Sequence, residues 1–205
     1  MIAIIDYEMG NLRSVQKGFE AVGYSAVITR DPAVMKQATH VVLPGVGAFG
    51  ECMANLNRFH LVTPIRQAIA SGKPFLGICL GLQVLFTESE EFGKQEGLDI
   101  IKGTVKRFPD EVFKREMRKI PHMGWNTLSI HSPAPILTGI ASDAHVYFVH
   151  SYYVEPADSS ATCTTTEYGV PFVSSVWQDN IFAAQFHPEK SQQVGLQLLR
   201  NFGAC

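Results

Sequence analysis

The stretch Lys73-Pro-Phe-Leu-Gly-Ile-Cys-Leu-Gly-Leu-Gln83 constrains this chain more than any other. A short apolar run enters a Gly-x-Cys-x-Gly turn, and a helical segment leaves it. A turn that tight puts one side chain, Cys79, at the tip of a strand and the head of a helix. Gly77 and Gly81 permit the sharp bend and let the helix lie close to the strand. A helix N-terminus offers free N–H groups and a partial positive charge, which favours thiolate over thiol. The turn therefore presents a cysteine where reactivity is easiest to arrange.

The first half of the chain alternates strand and helix around this turn. Ile2 to Ile5 is a continuous apolar run, as in a strand covered on both faces. Asn11 can cap a helix with Leu12, Val15, Phe19 and Val22 on one side, ended by Gly23. Ala26 to Thr29 reads as a second strand, and Asp31-Pro32 as an N-cap followed by proline at the first helical position. His40 to Leu43 is a third strand, running into Pro44-Gly-Val-Gly47. A helix covers Thr63 to Ala70 and stops at Ser71-Gly72. Phe75 to Ile78 is a fourth strand and Leu80 to Glu90 a helix. This alternation predicts an α/β fold: a doubly wound, mostly parallel, flavodoxin-like sheet. In such sheets sites form beyond the carboxyl ends of the strands, where Pro44-Gly-Val-Gly47 and Cys79 both fall.

After about residue 98 the pattern becomes an added antiparallel, β-rich part. Short strands are expected over Gly103 to Phe108, Trp125 to Ile130, Val146 to Val154, Thr162 to Tyr168 and Val173 to Gln178. Asp179-Asn180 reads as a hairpin turn before Ile181 to Phe186. A last helix starts at Ser191 as cap, with Val194, Leu198, Leu199 and Phe202 inward. Asp110 to Lys119 carries both signs of charge and reads as a solvated loop or short helix. With 205 residues, the whole chain is expected to form one domain, 1–205.

Hydrophobic residues make up 46% and charged residues 18%, which excludes a disordered chain. A net charge of -2 gives no bulk attraction to nucleic acid or a membrane surface. The N-terminus lacks the basic region and the long apolar run of a signal peptide or membrane span. A cytoplasmic protein with reduced thiols is expected. The four cysteines have no metal-ligand spacing, so no metal and no cofactor is expected. Cys52 and Cys163 read as small buried hydrophobes, and Cys205 as a mobile last residue.

A cysteine nucleophile needs a base to take its proton and return it to a leaving group. His187, in Gln185-Phe-His-Pro-Glu189, is the distinctive candidate among seven histidines. Pro188 pushes His187 towards an extended conformation. Residues two apart on such a segment share a side, so Glu189 can orient the ring. Cys79, His187 and Glu189 then serve as nucleophile, base and orienter. An oxyanion hole would use the N–H of Leu80 and one from Val46-Gly47. Each piece alone has a plain structural reading; their coincidence carries the chemistry.

These residues resemble those of class I (triad) glutamine amidotransferases. The resemblance rests on Gly77-Ile-Cys-Leu-Gly-Leu-Gln83, Pro44-Gly-Val-Gly-Ala-Phe49 and Phe186-His-Pro-Glu-Lys-Ser191. Asp6-Tyr-Glu-Met-Gly-Asn-Leu-Arg-Ser14, Pro121-His-Met-Gly-Trp-Asn126 and Tyr147-Phe-Val-His-Ser-Tyr152 narrow it to the glutaminase subunits of imidazole glycerol phosphate synthases. The resemblance implies hydrolysis of L-glutamine to glutamate and ammonia. It also implies ammonia channelling into a (β/α)8-barrel cyclase/synthase subunit of a heterodimer. That partner would make imidazole glycerol phosphate and the purine precursor AICAR in histidine biosynthesis.

By motif position, glutamine would be held near Gly47, Gln83 and Glu91 and by the backbone at Ser151 and Tyr152. Asn11, Trp125, Tyr147 and Lys190 would face the partner. Read without the family, Gln83 is a helix-surface amide and Glu91 a solvated helix end. Asn11 is then a helix cap, Trp125 and Tyr147 are core aromatics, and Lys190 is a surface lysine. Two residues depart from the family pattern: Glu8, where a small residue is usual, and Ser151, where threonine is commoner. Competing readings are another triad glutaminase (a pyridoxal phosphate synthase subunit or a γ-glutamyl hydrolase) and a non-catalytic flavodoxin-like binding module.

Overall fold

The computed structural model describes residues 1–115 and 117–205. In chain order its elements are β1 (Ile2–Ile5), α1 (Leu12–Ala21), β2 (Ala26–Thr29), α2 (Pro32–Gln37), β3 (His40–Gly45), α3 (Phe49–Arg58), α4 (Val62–Ala70), β4 (Phe75–Cys79) and α5 (Leu80–Gln83). Then follow β5 (Phe86–Ser89), β6 (Gln95–Glu96), β7 (Ile101–Arg107), α6 (Asp110–Arg115), β8 (His122–Thr127), β9 (Ser129–Ile130), β10 (His145–His150) and β11 (Tyr152–Pro156). The chain closes with β12 (Thr162–Glu167), β13 (Pro171–Gln178), β14 (Ile181–Ala184) and α7 (Gln192–Ala204).

The main sheet runs β2-β1-β3-β4-β14-β13-β11-β7-β5-β6, with β12 and β9 attached beside β13. From β2 to β14 all pairings are parallel; β13 turns the sheet antiparallel. β8 and β10 form a separate antiparallel ribbon. The parallel half is apolar throughout because both its faces are covered. Alternation in β1 sends Ala3 and Ile5 to the face that carries Met35, Phe49, Leu56 and Ile65 of α2, α3 and α4. Ile2 and Ile4 go to the face that carries Val15 and Phe19 of α1 and Leu198, Leu199 and Phe202 of α7. Each such side chain, fully buried, contributes on the order of 1.5–3 kcal/mol.

The expected alternation holds through β4, with α3 as a helix the sequence reading left unassigned. The helix expected over Leu80 to Glu90 is instead one turn, α5, followed by β5. Leu82, Val84, Leu85 and Phe86 are all fully buried, so the run gives no one-sided helical period, and pairing of β5 with β7 takes the strand. Val146 to Val154 divides at Ser151 into β10 and β11, which belong to different sheets. Asp31 caps α2 through the Ala33 N–H as expected. Asn11 and Ser191 stand at cap positions but make no side-chain cap bond. In the Asp110 to Lys119 stretch α6 supplies the short helix, and position 116 lies outside the described residues.

Gly81 is what lets α5 lie on β3. A Cβ there would stand 1.8 Å from the Leu43 carbonyl oxygen, a backbone atom that cannot step aside. Gly81→Ala is therefore expected to destabilise the protein by about 3 kcal/mol or more. Guanidinium unfolding measures this, and a loss below ~1 kcal/mol would refute the packing argument.

Candidate active site

The sheet order sets β3, β4 and β14 side by side, so their carboxyl ends share one rim. Gly45 pairs with Cys79, and Ile78 with Ala184. The loop 46–48, the tip of β4 and the segment Gln185 to Glu189 therefore leave the sheet together.

Cys79 ends β4 with φ 55 and ψ -107, a conformation that L-residues rarely adopt. The side chain is 6% exposed. Its Sγ accepts from Gln185 Nε2 at 3.6 Å and lies 3.9 Å from the Val149 carbonyl oxygen. The following helix is a single turn and carries little macrodipole, so the cation beside the sulfur is the histidine rather than a long helix end.

His187 takes φ -104 and ψ 99, the extended backbone imposed by Pro188. Glu189 reaches it from the 3-10 turn Pro188–Lys190 rather than along a strand. Glu189 Oε1 is 2.8 Å from His187 Nδ1, and both side chains are buried. Burial opposes charge on the ring, but the Cys79 sulfur and then the Glu189 carboxylate outweigh it and raise His187 to about 10. Among the described residues Nε2 has no partner at hydrogen-bond geometry, although the sulfur is near enough to act on the ring's charge. The arrangement sets a cationic ring beside the sulfur, and the ring's proton can move to a leaving group.

A cavity of about 250 Å³ opens on this rim, of a size for one small amino acid rather than a drug-sized ligand. It is lined by Gly47, Cys79, Leu80, Gln83, Glu91, Ser151 and Tyr152, so every residue expected at the substrate meets there. Leu80 opens α5, where the first N–H groups lack intrahelical partners. Gly47 holds φ +102, and Met9 Cε would lie 2.9 Å from a Cβ added to it. Gln83 is no helix-surface amide: it is 5% exposed and donates to the Tyr152 carbonyl and to Gln185 Oε1, both at 3.0 Å. Glu91 is not a helix end; it follows β5, and its Oε2 accepts from the Phe49 N–H at the start of α3.

The sequence reading gave no role to Gln185 or His150. Gln185 lies two residues before His187, beside Cys79, and period-two spacing could have found it. His150 lines the cavity.

Of the residues expected to face a partner, three gather. Trp125 is 46% exposed and meets Tyr147 edge-on at 6.0 Å, and Lys190 Nζ lies 5.7 Å from the Tyr147 ring centre. Trp125 is thus no core aromatic. Asn11 is exposed at the head of α1. The Tyr147 backbone clasps the triad: its carbonyl accepts from the His187 N–H, and its N–H donates to Ser191 Oγ, which donates to the His187 carbonyl. Glu8, at φ 67, pairs with Arg30 and Arg58. These pairs are exposed and contribute at most about 1 kcal/mol each.

The chain belongs to the family of class-I glutamine amidotransferases, whose family model matches residues 3–204. Among curated proteins it is 62% identical to imidazole glycerol phosphate synthase subunit HisH of Syntrophotalea carbinolica, covering 99% of each chain. It is 57% identical to the protein of the same name in Geobacter sulfurreducens, covering 98% of this chain and 97% of that one. A solved structure described as a glutamine amidotransferase shares the fold at a TM-score of 0.74 with 16% identity, covering 99% of this chain and 100% of the other.

The raised His187 value has two measurable consequences. It stands above the ~6.5 of an unfolded histidine, so the stability it contributes is fully present below pH ~6.5 and is lost as pH climbs through about 10. In Cys79→Ala the ring loses the first of its two supports, and its titration, followed by imidazole NMR, should move well below that of the unaltered protein. An unmoved titration would show that the sulfur does not act on the ring.

Proposed function

We propose that this chain hydrolyses L-glutamine to glutamate and ammonia as the glutaminase subunit of an imidazole glycerol phosphate synthase, in histidine biosynthesis. The observation that carries the reading is a cysteine, Cys79, that lines an amino-acid-sized cavity while its sulfur acts on the ring of the buried His187–Glu189 pair, in a chain of this family. The Cys79 thiolate attacks the side-chain amide carbon. The carbonyl oxygen takes the negative charge and meets the N–H groups of Leu80 and the Val46-Gly47 loop. His187 gives its proton to the departing nitrogen, which leaves as ammonia. The ring, now neutral, takes a proton from water as the water attacks the γ-glutamyl thioester. Glutamate leaves, and the thiolate and imidazolium are restored. Glu189 orients the ring throughout and stabilises its cation.

Gln83, Glu91, Ser151 and Tyr152 bind the glutamine. The Tyr152 carbonyl already accepts twice, from Gln83 and His150, so that segment recognises substrate through its other groups. The ammonia is delivered to a partner subunit, in this reading a (β/α)8-barrel synthase. Exposed Met123 and Trp125, two apart on β8, with Tyr147 beside Trp125 and Lys190 beside Tyr147, support a docking face, and exposed Val46 lies at the cavity wall; Asn11 faces the partner in this reading. Among the described residues no helix is long and apolar enough to cross a membrane, which accords with a cytoplasmic enzyme.

A glutamine-like diazo-ketone should alkylate Cys79, and glutamine should protect against it, as read by peptide mass mapping. Cys79→Ser should fold yet lose turnover, and His187→Ala should lose at least two to three orders of magnitude in rate. Turnover retained in Cys79→Ser would remove the nucleophile assignment. Turnover should rise when the barrel partner and its phosphoribosyl substrate are added; equal activity with and without them would remove the partner reading.

A further inference from the structure

His122 and His150 are the first residue of β8 and the last of β10, and they face each other across that ribbon. Both are buried, at 2% and 6% exposure, and neither belongs to the triad. His150 Nδ1 is 2.8 Å from the Tyr152 carbonyl oxygen. His150 Nε2 is 3.0 Å from His122 Nδ1, and His122 Nε2 is 3.4 Å from Asn126 Nδ2.

One proton arrangement satisfies this chain. A carbonyl only accepts, so His150 carries its proton on Nδ1 and accepts at Nε2. His122 must then carry its proton on Nδ1, which leaves Nε2 to accept from the Asn126 amide. Every donor points towards Tyr152. Beyond Tyr152 the same carbonyl accepts from Gln83, Gln83 donates to Gln185, and Gln185 donates to the Cys79 sulfur.

The surroundings hold the rings in place. His122 is stacked against Tyr168 and Phe148, with ring centres 3.9 and 4.8 Å away. His150 packs against Phe172 and Phe108 at 5.0 and 5.2 Å. Burial, with Arg118 beside it, lowers His122 to about 4; burial, with the neighbouring His122 and His187, lowers His150 to about 3 against the pull of the Tyr152 carbonyl. Both rings are therefore neutral at working pH, as a single-tautomer chain needs. An apolar pair would have filled this space as well, and a half-satisfied polar pair would be costly.

We propose that His122 and His150 are positioning residues, a one-way hydrogen-bonded relay that fixes the Tyr152 carbonyl and so the Ser151–Tyr152 wall of the cavity. The relay rests on the reading of that cavity as the glutamine site. It begins on β8, the strand that also carries Trp125, so the substrate wall is referenced to the ribbon rather than to the main sheet alone.

The test uses the full chain assayed with its synthase partner. His122→Phe keeps the ring stack but removes the donor to His150. It should raise the KM for glutamine about tenfold, the weight of one lost buried hydrogen bond, with kcat within about twofold. Alkylation of Cys79 by iodoacetamide, which needs no glutamine pocket, should keep the unaltered rate. His122→Asn, whose amide nitrogen can stand where Nδ1 stood, should recover most of the KM. An unchanged KM in His122→Phe, an equal defect in His122→Asn, or a parallel loss of iodoacetamide reactivity overturns the relay. Should His122→Phe fail to fold, imidazole nitrogen NMR of the unaltered protein decides. Both rings should be neutral Nδ1–H tautomers at pH 6, and an Nε2–H tautomer on either overturns the assignment. If the unaltered protein itself neither turns over glutamine nor shows glutamine-protected labelling, the functional reading fails rather than the relay.

Discussion

Cys79 holds φ 55 and ψ -107, which costs an L-residue on the order of 1–3 kcal/mol and persists only where neighbours over-determine it. The determinants are backbone contacts. Gly81 has no room for a Cβ beside Leu43, and Gly77 none beside the Gly81 carbonyl. β4 is also pinned by parallel pairing with β3 on one side and β14 on the other. The bend thus follows from sheet order and two close approaches. It aims the sulfur out of the strand tip into the cavity.

The charge arrangement depends on that placement. An imidazole as buried as His187 would ordinarily be neutral. The Cys79 sulfur, arriving from β4, and the Glu189 carboxylate, from the turn after β14, reverse this. The pair His122–His150, equally buried but without a carboxylate, stays neutral instead. The same residue type thus takes opposite charge states within one rim, set by whether an anion lies against the ring. The cationic ring has a proton to give to a leaving group; the two neutral rings spend both their nitrogens on the hydrogen-bonded chain.

The parallel half of the fold was legible because fully covered strands are continuous apolar runs and Asp31-Pro32 and Gly23 punctuate the helices between them. The segment Leu80 to Glu90 departs from the expected helix because it is buried without a break from Leu80 through Phe86, and burial on all sides erases the period that separates helix from strand. Cys79, His187 and Glu189 were legible from turn chemistry and proline geometry. Glu91 and Ser151–Tyr152 were not legible from spacing, because their proximity depends on β5 and β11 both flanking β7, a long-range pairing with no local trace. Gln185 and the two ribbon histidines sit inside recognisable motifs, but those motifs assign them no role; it rests on partners scattered across β4, β8, β10 and β11.

The carboxylate of Glu91 grips the Phe49 amide, two residues beyond Gly47. A single acidic group thus holds the first amide of α3, just past the 46–48 loop, while lining the cavity. In the glutamine reading, the group that binds the amino-acid head is also bonded to the segment that follows the oxyanion loop. In that reading a ligand without the ammonium would forgo the one carboxylate that also holds the corner after the loop, so amino acids and plain amides would meet this wall differently.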